Sequence, residues 1–181
     1  ATTFEGGAAI RFLPADLSGD LELHARQVGV SRSTLMFTGF AALLQQYSGQ
    51  EDFVIGVPVA NRSQKATEKM QGFFINMLPI RIRAGHTAPL EDLTGQIHQR
   101  MIEALSNQDA PFDLILQQVK IQRIPGINPL FQVMFNFQNA YDGNFGLQGL
   151  EVTPLGYHNE VAQFDLTLFI SRDQGRTKCT F

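Results

Sequence analysis

Leu90, Leu93, Ile97, Met101, Ile102 and Leu105 recur three and four residues apart, the spacing that lines one face of an α-helix. They predict an amphipathic helix begun near Thr87 or Pro89 and ended at Asn107 or Asp109. Leu35, Met36, Phe37, Phe40, Ala41, Leu43, Leu44 and Tyr47 form a second run almost free of charge. Ser31 or Ser33 would cap it and Gly49 would stop it, so this helix is expected to be buried on most sides. A looser stripe, Leu21, Leu23, Ala25 and Val28, predicts a shorter helix capped by Asp16 or Ser18 and stopped by Gly29. Pro111, with Phe112, Leu114, Ile115, Leu116 and Val119 behind it, suits the first turn of a fourth.

Other segments carry the two-residue period of strands. Ala8 to Leu13 alternates until Pro14 closes it, and Ile80-Arg-Ile-Arg83 alternates after the stretch Gly72 to Pro79. Phe53-Val-Ile-Gly-Val-Pro-Val59 is apolar on both faces, as an interior strand is, with Pro58 near an edge or rim. Leu130–Phe137, Leu150–Thr153 and Phe164–Ile170 read as three more, and Phe131 and Met134 read as core. Asn61 to Lys69 is a polar loop or a loose helix. Helices mixed with strands, then a strand-rich second half, imply an α/β or α+β unit built on one mixed sheet flanked by helices.

Composition narrows the functional classes. Of 181 residues, 44% are hydrophobic and only 17% charged, which excludes a disordered chain. A net charge of -3 disfavours a nucleic-acid partner. No window approaches the roughly 18 apolar residues of a membrane span, and the first ten residues lack a signal-peptide pattern, so a cytoplasmic protein with no membrane partner is expected. Cys179 is the one cysteine and cannot form an internal disulfide. The alternating ending Arg176 to Phe181 and the absence of an initial methionine suggest a fragment.

No complete catalytic motif is present. His24, His86, His98 and His158 lie on separate elements with no metal-type spacing, and no metal site is expected. Nucleophile elbows, phosphate-binding loops and paired cysteines are missing from the sequence. What stands out is a set of blocks: Tyr47 to Arg62, ending Val-Pro-Val-Ala-Asn-Arg; Gln71-Gly-Phe-Phe-Ile-Asn-Met-Leu-Pro79; Asn107-Gln-Asp-Ala-Pro-Phe-Asp-Leu114; and Asn128-Pro-Leu-Phe-Gln-Val-Met-Phe135, with a closing Gln163-Phe-Asp-Leu-Thr-Leu168.

In this order, and over roughly Leu17 to Phe181, the blocks resemble the C-terminal lobe of condensation domains from nonribosomal peptide synthetases. The resemblance implies a chloramphenicol-acetyltransferase-like lobe spanning residues 1–181, with the N-terminal lobe and the last helices of its own lobe outside the chain. It implies peptide-bond formation between aminoacyl or peptidyl thioesters on carrier proteins, in a tunnel between the lobes. Phosphopantetheine would arrive on the carrier proteins, with no cofactor bound directly. The partners implied are those carrier domains and the N-terminal lobe, whose H-H-x-x-x-D-G motif would supply catalysis. No His-His pair occurs here, so no catalytic residue is assigned and the chain alone is expected to be inactive.

Carried over residue by residue, Arg62 would pair with the motif's aspartate by a bidentate ion pair, or else be a solvated loop arginine. Asn76, polar within an apolar segment, would line the tunnel or pin a local turn. His158, in a Gly/Asn loop, is a second tunnel-lining candidate. Asn107 stands where the family often has histidine, and Ile124-Pro-Gly-Ile127 replaces an approach that usually contains arginine. An alternative from another class is a degenerate condensation-like module that recruits a tailoring enzyme. An epimerisation-domain lobe would share the fold.

Overall fold

The computed structural model describes residues 4–119, 121, 124–138, 149–150 and 160–181. In chain order the elements are β1 (Ile10–Phe12), α1 (Ala15–Gln27), α2 (Arg32–Ser48), β2 (Asp52–Val59), β3 (Asn76–Arg83), α3 (Leu90–Ser106), α4 (Phe112–Val119), β4 (Val133–Phe137), β5 (Leu166–Asp173) and β6 (Arg176–Thr180). Their strands form one sheet in the order β1-β6-β5-β4-β2-β3. β4 runs parallel to both β2 and β5, and the other neighbours are antiparallel. The mixed sheet expected from the sequence is therefore present.

The clear local signals act as expected. Ser31 accepts a hydrogen bond from the Thr34 amide at the start of α2, and Gly49 ends that helix in the left-handed region at φ 66°. In β3, Leu78, Ile80 and Ile82 are buried while Arg81 and Arg83 are exposed, the period of a strand with one covered face. That face meets α2 and α3 in a core of Phe37, Phe40, Ala41, Ile55, Val57, Leu93, Ile97, Phe135, Leu168 and Ile170. β2 is interior, as its two apolar faces predict: Ile55 and Val57 join this core, while Gly56 abuts Phe131 on the other side.

Several boundaries differ from the sequence reading, each for a local reason. α1 starts at Ala15 behind Pro14, so Asp16 and Ser18 lie inside the helix, and neither caps it; Asp16 Oδ1 accepts from the next amide, Leu17. Only Ala25 of its stripe is buried, and Leu23 and Val28 are exposed. α2 emerges from the protein at its end, leaving Tyr47 87% exposed. β3 begins at Asn76 rather than Ile80, because antiparallel pairing with β2 runs on to Val59 opposite Asn76. Pro79 is tolerated there because β3 is an edge strand whose other side needs no partner. β4 and β5 start later than expected, which leaves Phe131 and Phe164 free to pack ahead of their strands. Phe131 is buried and Met134 half-buried. Of the expected strand 150–153, only Leu150 lies among the described residues.

Cys179 is buried in β6; burial pushes its thiol above the usual cysteine range, against a smaller opposing effect of the Arg32 charge. Among the described residues no helix is long and apolar enough to cross a membrane.

Candidate functional site

β2 and β3 are neighbours joined by a long connection, residues 60–75, that stands off one end of the sheet. Val59 pairs with Asn76 at its root, so Arg62 and Asn76, far apart in the chain's local pattern, meet at the same sheet end. Asn61 opens the connection with a positive φ of 49°, a conformation that asparagine adopts more readily than most residues. The chain then folds over on itself around the Arg62 side chain. Its Nη1 donates to the carbonyl of Thr67, the last residue of a short 3-10 turn, and to that of Met70 at 2.9 Å. Its guanidinium carbon stands 4.3 Å from the centre of the Phe74 ring.

Asn76 spends its amide on the link between α3 and α4. Nδ2 donates to the carbonyls of Gln108 and Ala110, each at 2.7 Å, and Oδ1 accepts from the Met77 amide at 3.0 Å. Ser63 donates to Asp109 Oδ1 at 3.3 Å. The loop that carries Arg62 and the strand that carries Asn76 are thus tied to the same turn, 107–111. These three bonds join segments 32 to 46 residues apart. Such bonds are worth most where water is partly excluded, and Arg62 and Asn76 are both half-buried.

Arg62 Nε and Nη2 have no hydrogen-bond partner among the described residues. No carboxylate of those residues pairs with Arg62. Beside it, Asn61 Oδ1 is buried without a partner among the described residues. On the outer side of the same connection, Phe73 is 90% exposed and Met70 and Ile75 are each 53% exposed. This end of the sheet therefore holds a fixed cation next to exposed apolar side chains.

The structure places Arg62 and Asn76 at the same end of the sheet, each bonded to different partners, and His158 lies outside the described residues. A separate cleft of about 620 Å³, bordered by Asn128, Gln132, Phe164 and Asp165, involves neither Arg62 nor Asn76. Among the described residues no three His, Cys, Asp or Glu side chains gather where a metal ion could sit. Reasoning from sequence missed Phe74, Ser63 and Asp109. Phe74 and Asp109 sit inside the blocks already singled out, two residues before Asn76 and four before Asp113, but nothing in a one-dimensional pattern says that they meet Arg62 and Ser63.

Comparison with known proteins agrees with this architecture. The family model described as "Condensation domain" matches residues 2–181. The chain is 35% identical over 158 residues to gramicidin S synthase 2 of Brevibacillus brevis, a match covering 87% of this chain and 4% of that protein. The chain thus spans a small part of that relative. Its fold superposes on a four-domain nonribosomal peptide synthetase bound to AMP and glycine with a TM-score of 0.88, at 22% identity over 99% of this chain and 15% of that one. With the condensation domain of the Monacolin K polyketide synthase the TM-score is 0.82, at 20% identity over 99% of this chain and 42% of that one.

Proposed function

The chain belongs to the condensation-domain family, and we propose that it is the C-terminal lobe of such a domain, helping to form peptide bonds between substrates carried as thioesters. The share of the solved condensation domain that it covers supports a lobe rather than a whole domain. In the reaction, an acceptor amine attacks the donor thioester carbonyl. A C–N bond forms, the C–S bond breaks, and the amine proton ends on the released thiol. The thiols belong to phosphopantetheine arms of carrier domains, which are the partners of the domain together with its N-terminal lobe. A reducing, cytoplasmic setting fits the lone buried Cys179.

Arg62 is the observation that carries the reading. Two bonds from Nη1 anchor it to its own loop, while Nε and Nη2 stay unpaired among the described residues at the sheet end. That leaves one edge of the guanidinium able to receive a carboxylate from the other lobe, the aspartate of the H-H-x-x-x-D-G motif, and so hold the catalytic loop in shape. Asn76 holds turn 107–111 at the same end of the sheet.

The test is Arg62→Ala in the two-lobe domain, read by single-turnover peptide transfer and by thermal unfolding. If the pair is buried, its loss leaves an unpaired carboxylate, costing on the order of 3 kcal/mol in folding, activity or both. Arg62→Lys should restore part of the charge effect and little of the two-point geometry. Wild-type transfer and melting in Arg62→Ala would reduce Arg62 to a loop residue.

A further inference from the structure

Arg62 is held by a ring as well as by carbonyls. We propose that Phe74 is a positioning residue for Arg62, bracing its guanidinium from the ring face so that the edge free of the loop's carbonyls is held for a carboxylate; this rests on the role given to Arg62 above. The two adjacent phenylalanines behave differently. Phe73 is 90% exposed, whereas Phe74 is half-buried, with its ring under the guanidinium carbon at 4.3 Å. Both hydrogen bonds to the carbonyls of Thr67 and Met70 are donated by the single nitrogen Nη1. These bonds hold one end of the guanidinium and leave its other edge, Nε and Nη2, without a hydrogen-bond partner among the described residues. The ring adds a second support beneath the group, because the negative face of an aromatic ring attracts the cation and holds it in place.

The backbone makes room for that ring. Gly72 has φ 156°, and a Cβ built on it would stand 3.1 Å from Phe74 Cε2, tighter than most Cβ contacts. The segment Gly72-Phe-Phe-Ile-Asn76 therefore serves two ends: Asn76 at its close ties down turn 107–111, and Phe74 at its centre orients Arg62. Removing the ring leaves Nη1 bonded but its fork misaligned toward an incoming carboxylate.

The experiment uses the two-lobe domain with carrier-bound thioesters, measuring single-turnover transfer and melting for Phe74→Leu, Phe74→Tyr, Arg62→Ala and Phe74→Leu combined with Arg62→Ala. Phe74→Leu should slow transfer by about three- to tenfold, Phe74→Tyr should keep it near wild type, and Phe74→Leu should add nothing once Arg62 is alanine. Pentafluorophenylalanine at position 74 keeps the ring's outline and reverses its quadrupole, so it should slow transfer with little change in melting, even if Phe74→Leu does not fold. An equal loss from Phe74→Leu with and without Arg62, or wild-type transfer with the fluorinated ring, overturns the proposal while leaving the role of Arg62 intact. Wild-type transfer in Arg62→Ala overturns both.

Discussion

The ring of Phe131 occupies the space that a side chain at position 56 would need. A Cβ built on Gly56 would fall 2.6 Å from Phe131 Cδ2. The ring itself is 1% exposed, edge-on to Phe112 with centroids 5.7 Å apart and stacked on Phe164 at 5.6 Å. A glycine in mid-strand is entropically costly, and here it lets an aromatic layer close down on the interior strand β2. That layer joins α4 and the approach to β5 to the face of the sheet opposite α2 and α3.

Gly56→Ala should therefore destabilise the protein by about 1–3 kcal/mol, as overpacking does. A lower urea midpoint with an unchanged slope is the expected result. Phe131→Leu in the same chain should recover part of the loss, since the smaller side chain vacates the clash; strictly additive effects would separate the two residues.

Asn76 makes three hydrogen bonds, two of them to carbonyls of turn 107–111. Asn76→Leu strands those groups and should cost roughly 1–3 kcal/mol in thermal unfolding. Peptide transfer in the two-lobe domain should fall in step with stability. Lost transfer at unchanged melting temperature would instead place the amide against substrate in the tunnel.

Asp52, at the start of β2, accepts two bonds from Arg81 at 2.8 and 2.7 Å, with Arg83 at 3.3 Å. The bond from Arg81 is the main cause holding the Asp52 carboxyl below its usual range, with the charges of Arg81 and Arg83 adding to it against a desolvation effect; the bond to Asp52 raises the Arg81 pKa in turn. A depressed folded-state value means that the contribution to stability is present above the ordinary carboxylate range and disappears as pH falls through the lowered value. Wild type should thus outlast Asp52→Ala in urea at neutral pH and lose that advantage in acid. Because the pair is exposed, high salt should also shrink it. A difference that persists in acid would point to strand propensity instead of charge.

The helices and strands were legible because their causes are local. Ser31 and Gly49 bound α2 through bonds and dihedrals within a few residues, and the alternation at Leu78, Ile80 and Ile82 marks the covered face of β3. Arg62 and Asn76 were legible as candidates through the blocks that contain them, whose order alone points to the condensation family. The sequence did not determine that β4 slips between β2 and β5 in parallel, that β3 ends up as the edge where Pro79 fits, or that pairing extends β3 back to Asn76. Nor did it determine that Phe74, and not its neighbour Phe73, turns inward under Arg62. Those outcomes depend on which distant segments bury surface together. The gain from Asn76 meeting Gln108 and Ala110, 32 and 34 residues away, exists only after the intervening chain has closed its loop. Propensity and periodicity act over a turn or a strand, so they set the elements; burial and hydrogen bonding across the assembled sheet set their order and the site at its end.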